Sequence, residues 1–173
     1  AILMISKQDV PDNWEIKTID EVCQKSNLGG TPTRSNDNYW GGDIPWISSG
    51  AVRGKYTTKN PEENITEKGL DESSTQVWEK GTVLVAMHGV GTIGRSAIAS
   101  IDTAGNQSIC GLTVNPNIID NEFLYYWLQS IEDALAYKGR GATASRQNLN
   151  QGIILDTKVP VPPLEEQERI VQR

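Results

Sequence analysis

A mixed α/β (α+β) fold is what this sequence predicts: a twisted sheet of short strands with long loops and few helices. Three observations predict it. Residues 82–87, TVLVAM, form a short apolar run rich in β-branched side chains, the signature of a buried strand. Residues 121–137 place Phe123, Leu124, Trp127, Leu128, Ile131 and Leu135 on one helical stripe. Residues 26–54 carry glycine and proline too densely for a long regular element. With 173 residues the chain has room for one ordinary domain and too little for two.

The elements follow in order. Residues 11–14, Pro-Asp-Asn-Trp, read as a turn into a short strand, and Ile16, Ile19, Val22 and Cys23 recur at the spacing of a short helix. Within the loop-rich stretch, 45–47 and 52–58 are expected as short strands. Thr66 caps an expected helix over 66–73, with Gly69 a weak point in it. Strands are expected at 95–101 and 108–114, and 89–94 forms a hairpin turn between the first pair. Asp120 and Asn121 cap the helix over 121–137, which Lys138 and Gly139 close. Residues 139–152 read as a polar loop, and Val159 to Pro163 as extended chain held by its prolines. Pro163 then opens a last helix, expected to leave the globular body, with acid in its first turn. Its apolar positions are Leu164, Ile170 and Val171, and it stops so soon that a longer architecture is expected to continue it. The expected core is Trp14, Trp40, Trp46, Val83, Val85, Ile98, Phe123, Trp127 and Leu128.

Composition narrows the function classes. Hydrophobic residues make up 37% and charged residues 22%, and no stretch has the apolar length needed to span a bilayer. The N-terminal apolar run lacks a basic flank and a cleavage site, so no signal peptide is expected. Cys23 and Cys110 are isolated and His88 is the only histidine, which disfavours disulfide frameworks and metal sites and suggests packed, reduced thiols in a cytoplasmic protein. The net charge of -6 opposes a simple nucleic-acid binder, but charge distribution matters more than its sum. Acid gathers at 61–79 and at Glu165, Glu166 and Glu168. Arg34, Arg53, Lys55 and Lys59 face only Asp37 and Asp43 over 28–59, and Lys138, Arg140, Arg146 and Lys158 face only Asp156 over 135–158. A positive surface on an acidic body is therefore possible.

Catalytic patterns are weak. Residues 89–94, GVGTIG, match the G-x-G-x-x-G fingerprint after a strand, but the following residues alternate like a strand and no acid lies about twenty residues on. A glycine-rich hairpin turn with Arg95 at its exit explains the segment better. His88 could partner Ser48, Ser49, Ser73 or Ser108, yet none sits in a nucleophile elbow, so a structural role or a polar contact is expected of it. Glu62 and Glu63 read as a solvated face rather than an acid pair. What remains is recognition chemistry. Arginine forks suit guanine and phosphate, amides suit adenine, and hydroxyls suit phosphate oxygens. Such residues cluster at Thr31, Thr33, Arg34, Ser35, Asn36 and Asn38, and again at Arg140, Thr143, Ser145, Arg146, Gln147, Asn148, Asn150 and Gln151. Asn106, Gln107 and Ser108 form a smaller third cluster. Loops are polar in any case, so composition alone leaves nucleic-acid contact open.

A family resemblance covers nearly the whole chain from about Trp14. Leu28-Gly29-Gly30-Thr31-Pro32-Thr33-Arg34 and Tyr39-Trp40-Gly41-Gly42-Asp43-Ile44-Pro45-Trp46 resemble the opening of a recognition domain of type I restriction–modification specificity subunits. Gly91-Thr92-Ile93-Gly94-Arg95 and Asn106-Gln107-Ser108 are similar to its middle. Gly141-Ala142-Thr143, Asn148-Leu149-Asn150-Gln151 and the stretch from Val159 to Gln167 are similar to its junction with a conserved helix. The resemblance implies a target-recognition domain at 1–160 and the start of a long spacer helix at 161–173. Such a subunit holds two recognition domains, each reading half of a split site in double-stranded DNA, and a chain with one would need a second domain or a second copy. Methylation by methyltransferase (M) subunits using S-adenosylmethionine, and ATP- and Mg-dependent cleavage by a restriction (R) subunit, are implied for partners, so this chain is expected to bind no cofactor and no metal and to have no catalytic residues. The expected DNA-binding residues are Thr33, Arg34, Ser35, Asn36, Arg53, Lys55, Arg95, Arg140, Thr143, Ser145, Arg146, Gln147 and Asn148. The rival role for each arginine is an ion pair inside the domain. The rival function is a protein-docking module that assembles the methyltransferase without touching bases.

Overall fold

The computed structural model describes residues 4–139 and 149–173. Its architecture is mixed α/β, with three small sheets instead of the single twisted sheet. The central sheet has four antiparallel strands in the order β2 (Cys23–Leu28), β8 (Ile109–Val114), β5 (Val83–Ala86), β6 (Ser96–Ile98). A second sheet sets β3 (Trp40–Ile47) between β4 (Glu63–Ile65) and the short β7 (Ala104–Gly105). A third pairs β1 (Glu15–Thr18) with β9 (Lys158–Val161) and so ties the two ends of the described chain together.

The expected strand at 82–87 is β5, and it is buried on both faces. Alternation sends its side chains to opposite sides. Val83 and Val85 join a core with Leu112, Phe123, Leu124 and Leu128; Leu84 and Ala86 join another with Trp78, Ala97, Ala99 and Ile109. The first core is covered by α3 (Asn121–Ser130) and α4 (Glu132–Gly139). The sequence predicts one helix over 121–137, but the helix breaks at Ile131. There the Ser130 hydroxyl donates to the Trp127 carbonyl at 2.6 Å, and Ile131 N–H is shared between the carbonyls of Trp127 and Leu128. Serine back-bonding of this kind bends a helix.

Four other expectations are corrected. The helix near Ile16–Cys23 is a single turn, α1 (Ile19–Val22), because Thr18 and Glu21 close a capping box and Cys23 is already in a strand. Residues 52–58 form no strand beyond one bridge from Tyr56 to Ile98, whereas β3 runs eight residues through the glycine-rich stretch, bulged between Trp40 and Ile44 where Gly41 takes φ +84°. Gly69 is no weakness in α2 (Glu67–Asp71): a Cβ there would lie 2.6 Å from the Tyr39 carbonyl oxygen, so the close approach of two backbones requires glycine. Part of the polar loop over 139–152 is helical: Asn150 caps α5 (Gln151–Asp156), its Oδ1 accepting from Ile153 N–H at 2.8 Å.

Six of the nine expected core residues are buried: Trp46, Val83, Val85, Ile98, Phe123 and Leu128. Trp14, Trp40 and Trp127 are half-buried, and each indole N–H reaches a partner at the rim: Glu166, the Thr33 carbonyl and the Lys158 carbonyl. An amphipathic ring settles where one edge stays polar. The tryptophan missing from the expected core, Trp78, is buried, and its indole lies on Gly111, the one position of β8 where a flat ring can approach the sheet. The last helix, α6 (Leu164–Val171), opens after Pro163; where the sequence has it leaving the body, its first half is docked there through Gln167, which is fully buried and bonds to backbone at Asp120, Ile118 and Pro162. No described helix is long and apolar enough to cross a membrane.

Candidate nucleic-acid interface

The antiparallel register of the central sheet decides which loops share a neighbourhood. Leu28 pairs with Cys110, Ala86 with Ile109, and Val85 with Ser96. The C-terminal ends of β2 and β5 and the N-terminal ends of β8 and β6 therefore lie together at one end of the sheet. The loop 29–39, the turn 106–108 and the glycine-rich turn 87–95 all emerge there.

Direct bonds hold these loops to one another. Thr31 Oγ1 donates to Gln107 Oε1 at 2.6 Å, and Gly30 N–H donates to the Gly105 carbonyl at 2.9 Å. Ser108 Oγ lies 2.9 Å from His88 Nδ1, and Asn106 Oδ1 accepts from Ser108 N–H at 3.1 Å. The bond between His88 and Ser108 is thus structural, the role expected of a lone histidine at a strand end. The chain after 148 comes to the same place, where Leu149 N–H donates to the Met87 carbonyl at 3.0 Å, and the first turns of α4 lie against Gly94, where a Cβ would come within 2.8 Å of the Glu132 carbonyl oxygen.

The expected DNA-binding residues divide into three groups. Arg53 and Arg95 come together although 42 positions separate 53 from 95. The parallel bridge between Tyr56 and Ile98 aligns the two segments, and both arginines line one cleft of about 330 Å³ with Ser96, Tyr125 and Glu132. Among the described residues neither is in an ion pair. Arg53 also borders a larger cleft of about 550 Å³ lined by Ser48, Tyr56, Thr58, Asn60 and Glu63.

Arg34 and Lys55 have partners inside the domain. Arg34 meets the Glu63 carboxylate with both terminal nitrogens, and its guanidinium lies 4.2 Å from the centroid of Trp40 and 4.9 Å from that of Trp46. Trp46 in turn donates to the Gly30 carbonyl at 3.0 Å, so Arg34 and the 29–39 loop share one support. Lys55 Nζ donates to Glu122 at 2.9 Å, and this bond, then one to the Tyr126 oxygen, raises the lysine pKa. Thr33 and Ser35 are exposed, and Asn36 Oδ1 accepts from Asn38 N–H at 3.0 Å. The third group, Arg140, Thr143, Ser145, Arg146, Gln147 and Asn148, lies outside the described residues.

The ties through Gln107, Ser108 and His88 fell outside the expected site. The Asn106-Gln107-Ser108 cluster was the signal available, but its meaning depends on which turn it faces. The glycine-rich turn, where Gly89, Gly91 and Gly94 all have positive φ, is followed by the strand β6 and not by a helix, so it has no helix N-terminus to offer a pyrophosphate. Among the described residues no group of three or more His, Cys, Asp or Glu side chains could hold a metal ion. Burial pushes the Cys110 thiol up to about 11 and that of Cys23 to about 12, so both stay protonated near neutrality, in keeping with packed thiols.

Three comparisons bear on this arrangement. The family described as type I restriction modification DNA specificity domain matches residues 11–173. The MjaIX type I restriction enzyme specificity subunit of Methanocaldococcus jannaschii is 29% identical over 164 residues, covering 93% of this chain and 37% of the relative. The EcoR124I/EcoR124II specificity subunit of Escherichia coli is 26% identical over 161 residues, covering 91% and 39%. The crystal structure of the HsdS subunit from Thermoanaerobacter tengcongensis superposes with a TM-score of 0.72 at 22% identity, over 95% of this chain and 37% of that one. This chain thus spans less than two fifths of the length of these relatives. The match over almost all of its length shows that the chain belongs to the family of type I restriction–modification DNA specificity domains.

Proposed function

We propose that this chain is a target-recognition domain that reads one half of a bipartite site in double-stranded DNA for a type I restriction–modification complex, and that it performs no chemistry itself. One observation carries the reading: a single end of the central sheet gathers the 29–39 loop, the 106–108 turn, the glycine-rich turn and the chain that resumes at Leu149. Arg53 and Arg95 stand at that end without carboxylate partners among the described residues. Their forks suit phosphate or guanine, and the hydroxyls and amides beside them suit phosphate oxygens and adenine.

Residues 1–160 would be the recognition domain and 161–173 the beginning of a spacer helix, with a second recognition domain or a second copy of the chain reading the other half-site. Base flipping and methylation with S-adenosylmethionine would fall to M subunits, and ATP- and Mg-dependent cleavage to the R subunit, in the cytoplasm. Docking of the methyltransferase has a surface of its own to favour it: Tyr56 and Tyr126 are exposed beside the Lys55–Glu122 pair, and tyrosines with a neighbouring cation are common interface anchors.

The test is a salt titration of DNA affinity for the assembled complex. A phosphate-contacting arginine changed to alanine should lower the slope of log affinity against log salt by about 1, with sequence preference kept. Arg53→Ala and Arg95→Ala that both leave affinity and slope unchanged would remove this sheet end as the DNA face.

A further inference from the structure

Val90, at the apex of the glycine-rich turn, is 88% exposed, more than any other large apolar side chain among the described residues. A lone exposed valine is ordinary. This one sits on a hydrogen-bonded mount. Gly89 and Gly91 flank it at φ +107° and +76°, a region that side chains rarely adopt. Nothing lies within 4 Å of where a Cβ would stand at Gly91, so backbone shape alone calls for glycine there. Thr92 and Ile93 N–H both return to the Gly89 carbonyl, at 3.2 and 3.0 Å, and Gly94 N–H reaches Ala86 at 2.9 Å. Ile93 is buried, and Gly94 is seated against α4. Both legs of the turn are thus fixed to the core while its apex holds one branched apolar side chain outward.

The feet of that turn carry polar residues. His88, held by Ser108, lies on one side in sequence and Arg95 on the other, and Leu149 returns beside Met87. An apolar tip on the same end of the sheet as Arg53 and Arg95 has an apolar counterpart on a duplex. The C5-methyl of thymine is the apolar feature among the hydrogen-bonding edges of the major groove. We propose that Val90 is a specificity-determining residue that packs on a thymine methyl within the half-site. The proposal rests on the reading that this end of the sheet faces DNA. It adds a contact that discriminates thymine from cytosine by shape and not by charge.

The experiment uses the full-length subunit with its methyltransferase partners and a duplex carrying the motif that this complex methylates, mapped beforehand. Each thymine of the half-site is replaced in turn by deoxyuridine, which lacks only the methyl. The expected result is one position where uracil weakens binding about four-fold, the worth of one methyl-sized group removed from water. At that position Val90→Ala should bind thymine and uracil duplexes equally, with its thermal midpoint unchanged. A flat uracil scan, a half-site without an A·T pair, or a Val90→Ala loss that is equal on thymine and uracil at every position would each overturn the proposal. Arg53→Ala and Arg95→Ala run in parallel keep the two readings apart: if they weaken binding while the scan is flat, only the valine contact falls.

Discussion

The two ends of the central sheet use the same kinds of side chain for opposite purposes. At the end formed by Cys23, Val114 and Ile98, amides and carboxylates close on the backbone. Gln167 accepts from Asp120 N–H at 2.8 Å and donates to the carbonyls of Ile118 and Pro162 at 3.0 and 2.8 Å. Asn121 donates to the Gly81 carbonyl at 2.9 Å, and the Asp120 carboxylate caps α3 through Glu122 and Phe123 N–H. At the opposite end, polar residues bridge loop to loop but leave Arg53, Arg95, Thr33, Ser35 and the Val90 apex facing outward. A polar cluster in a sequence is therefore not yet a binding site. It becomes a candidate when the backbone groups around it are already satisfied by something else.

Substitutions test this contrast. The largest effect is expected at the rim of the open end. A Cβ at Gly29 would fall inside contact distance of the carbonyl oxygens of Gly105 and Asn106, which are backbone and cannot swing away. Gly29→Ala should therefore cost about 3 kcal/mol or more in urea unfolding. A loss below about 1 kcal/mol would mean that the rim yields and that the loops it carries are not rigidly placed.

Next is Gln167→Ala at the closed end. It strands three backbone groups, one buried and two half-buried, and a destabilisation of about 2–3 kcal/mol is expected by the same measurement. Asp120→Ala removes the α3 cap and should cost about 1 kcal/mol, with helix content by circular dichroism reduced only slightly. Both variants, once folded, should keep the sequence preference of the wild type, since neither residue lies at the open end.

The smallest effect on stability is expected where the effect on DNA is largest. Arg53→Ala combined with Arg95→Ala should stay within about 0.5 kcal/mol of wild type in unfolding, because no described ion pair is lost. Its DNA affinity should fall and become less sensitive to salt. A double variant that is strongly destabilised would show that these arginines support the fold, and the contrast between the two ends would fail.

Local sequence was enough to fix β5, the caps at Thr66 and Asp120, the turn over 89–94, the start of the last helix after Pro163 and the mixed α/β class. Each is written in local chemistry: β-branching, a carboxylate or hydroxyl that accepts from nearby N–H groups, glycine at positive φ, proline at a helix start. Local pattern also carried the family resemblance, through the order and spacing of short motifs. The break at Ile131, the length of β3 and the burial of Trp78 instead of Trp14 or Trp127 were settled by neighbours distant in sequence or by a single side-chain bond, which periodicity does not register. The candidate site shows the same division. Its residue types were legible, but Arg53 meets Arg95 only because two segments align at Tyr56 and Ile98, and Arg34 meets Glu63 only because β3 pairs with β4. Strand register is a long-range choice made by the whole core, and that choice decides which polar loops end up side by side.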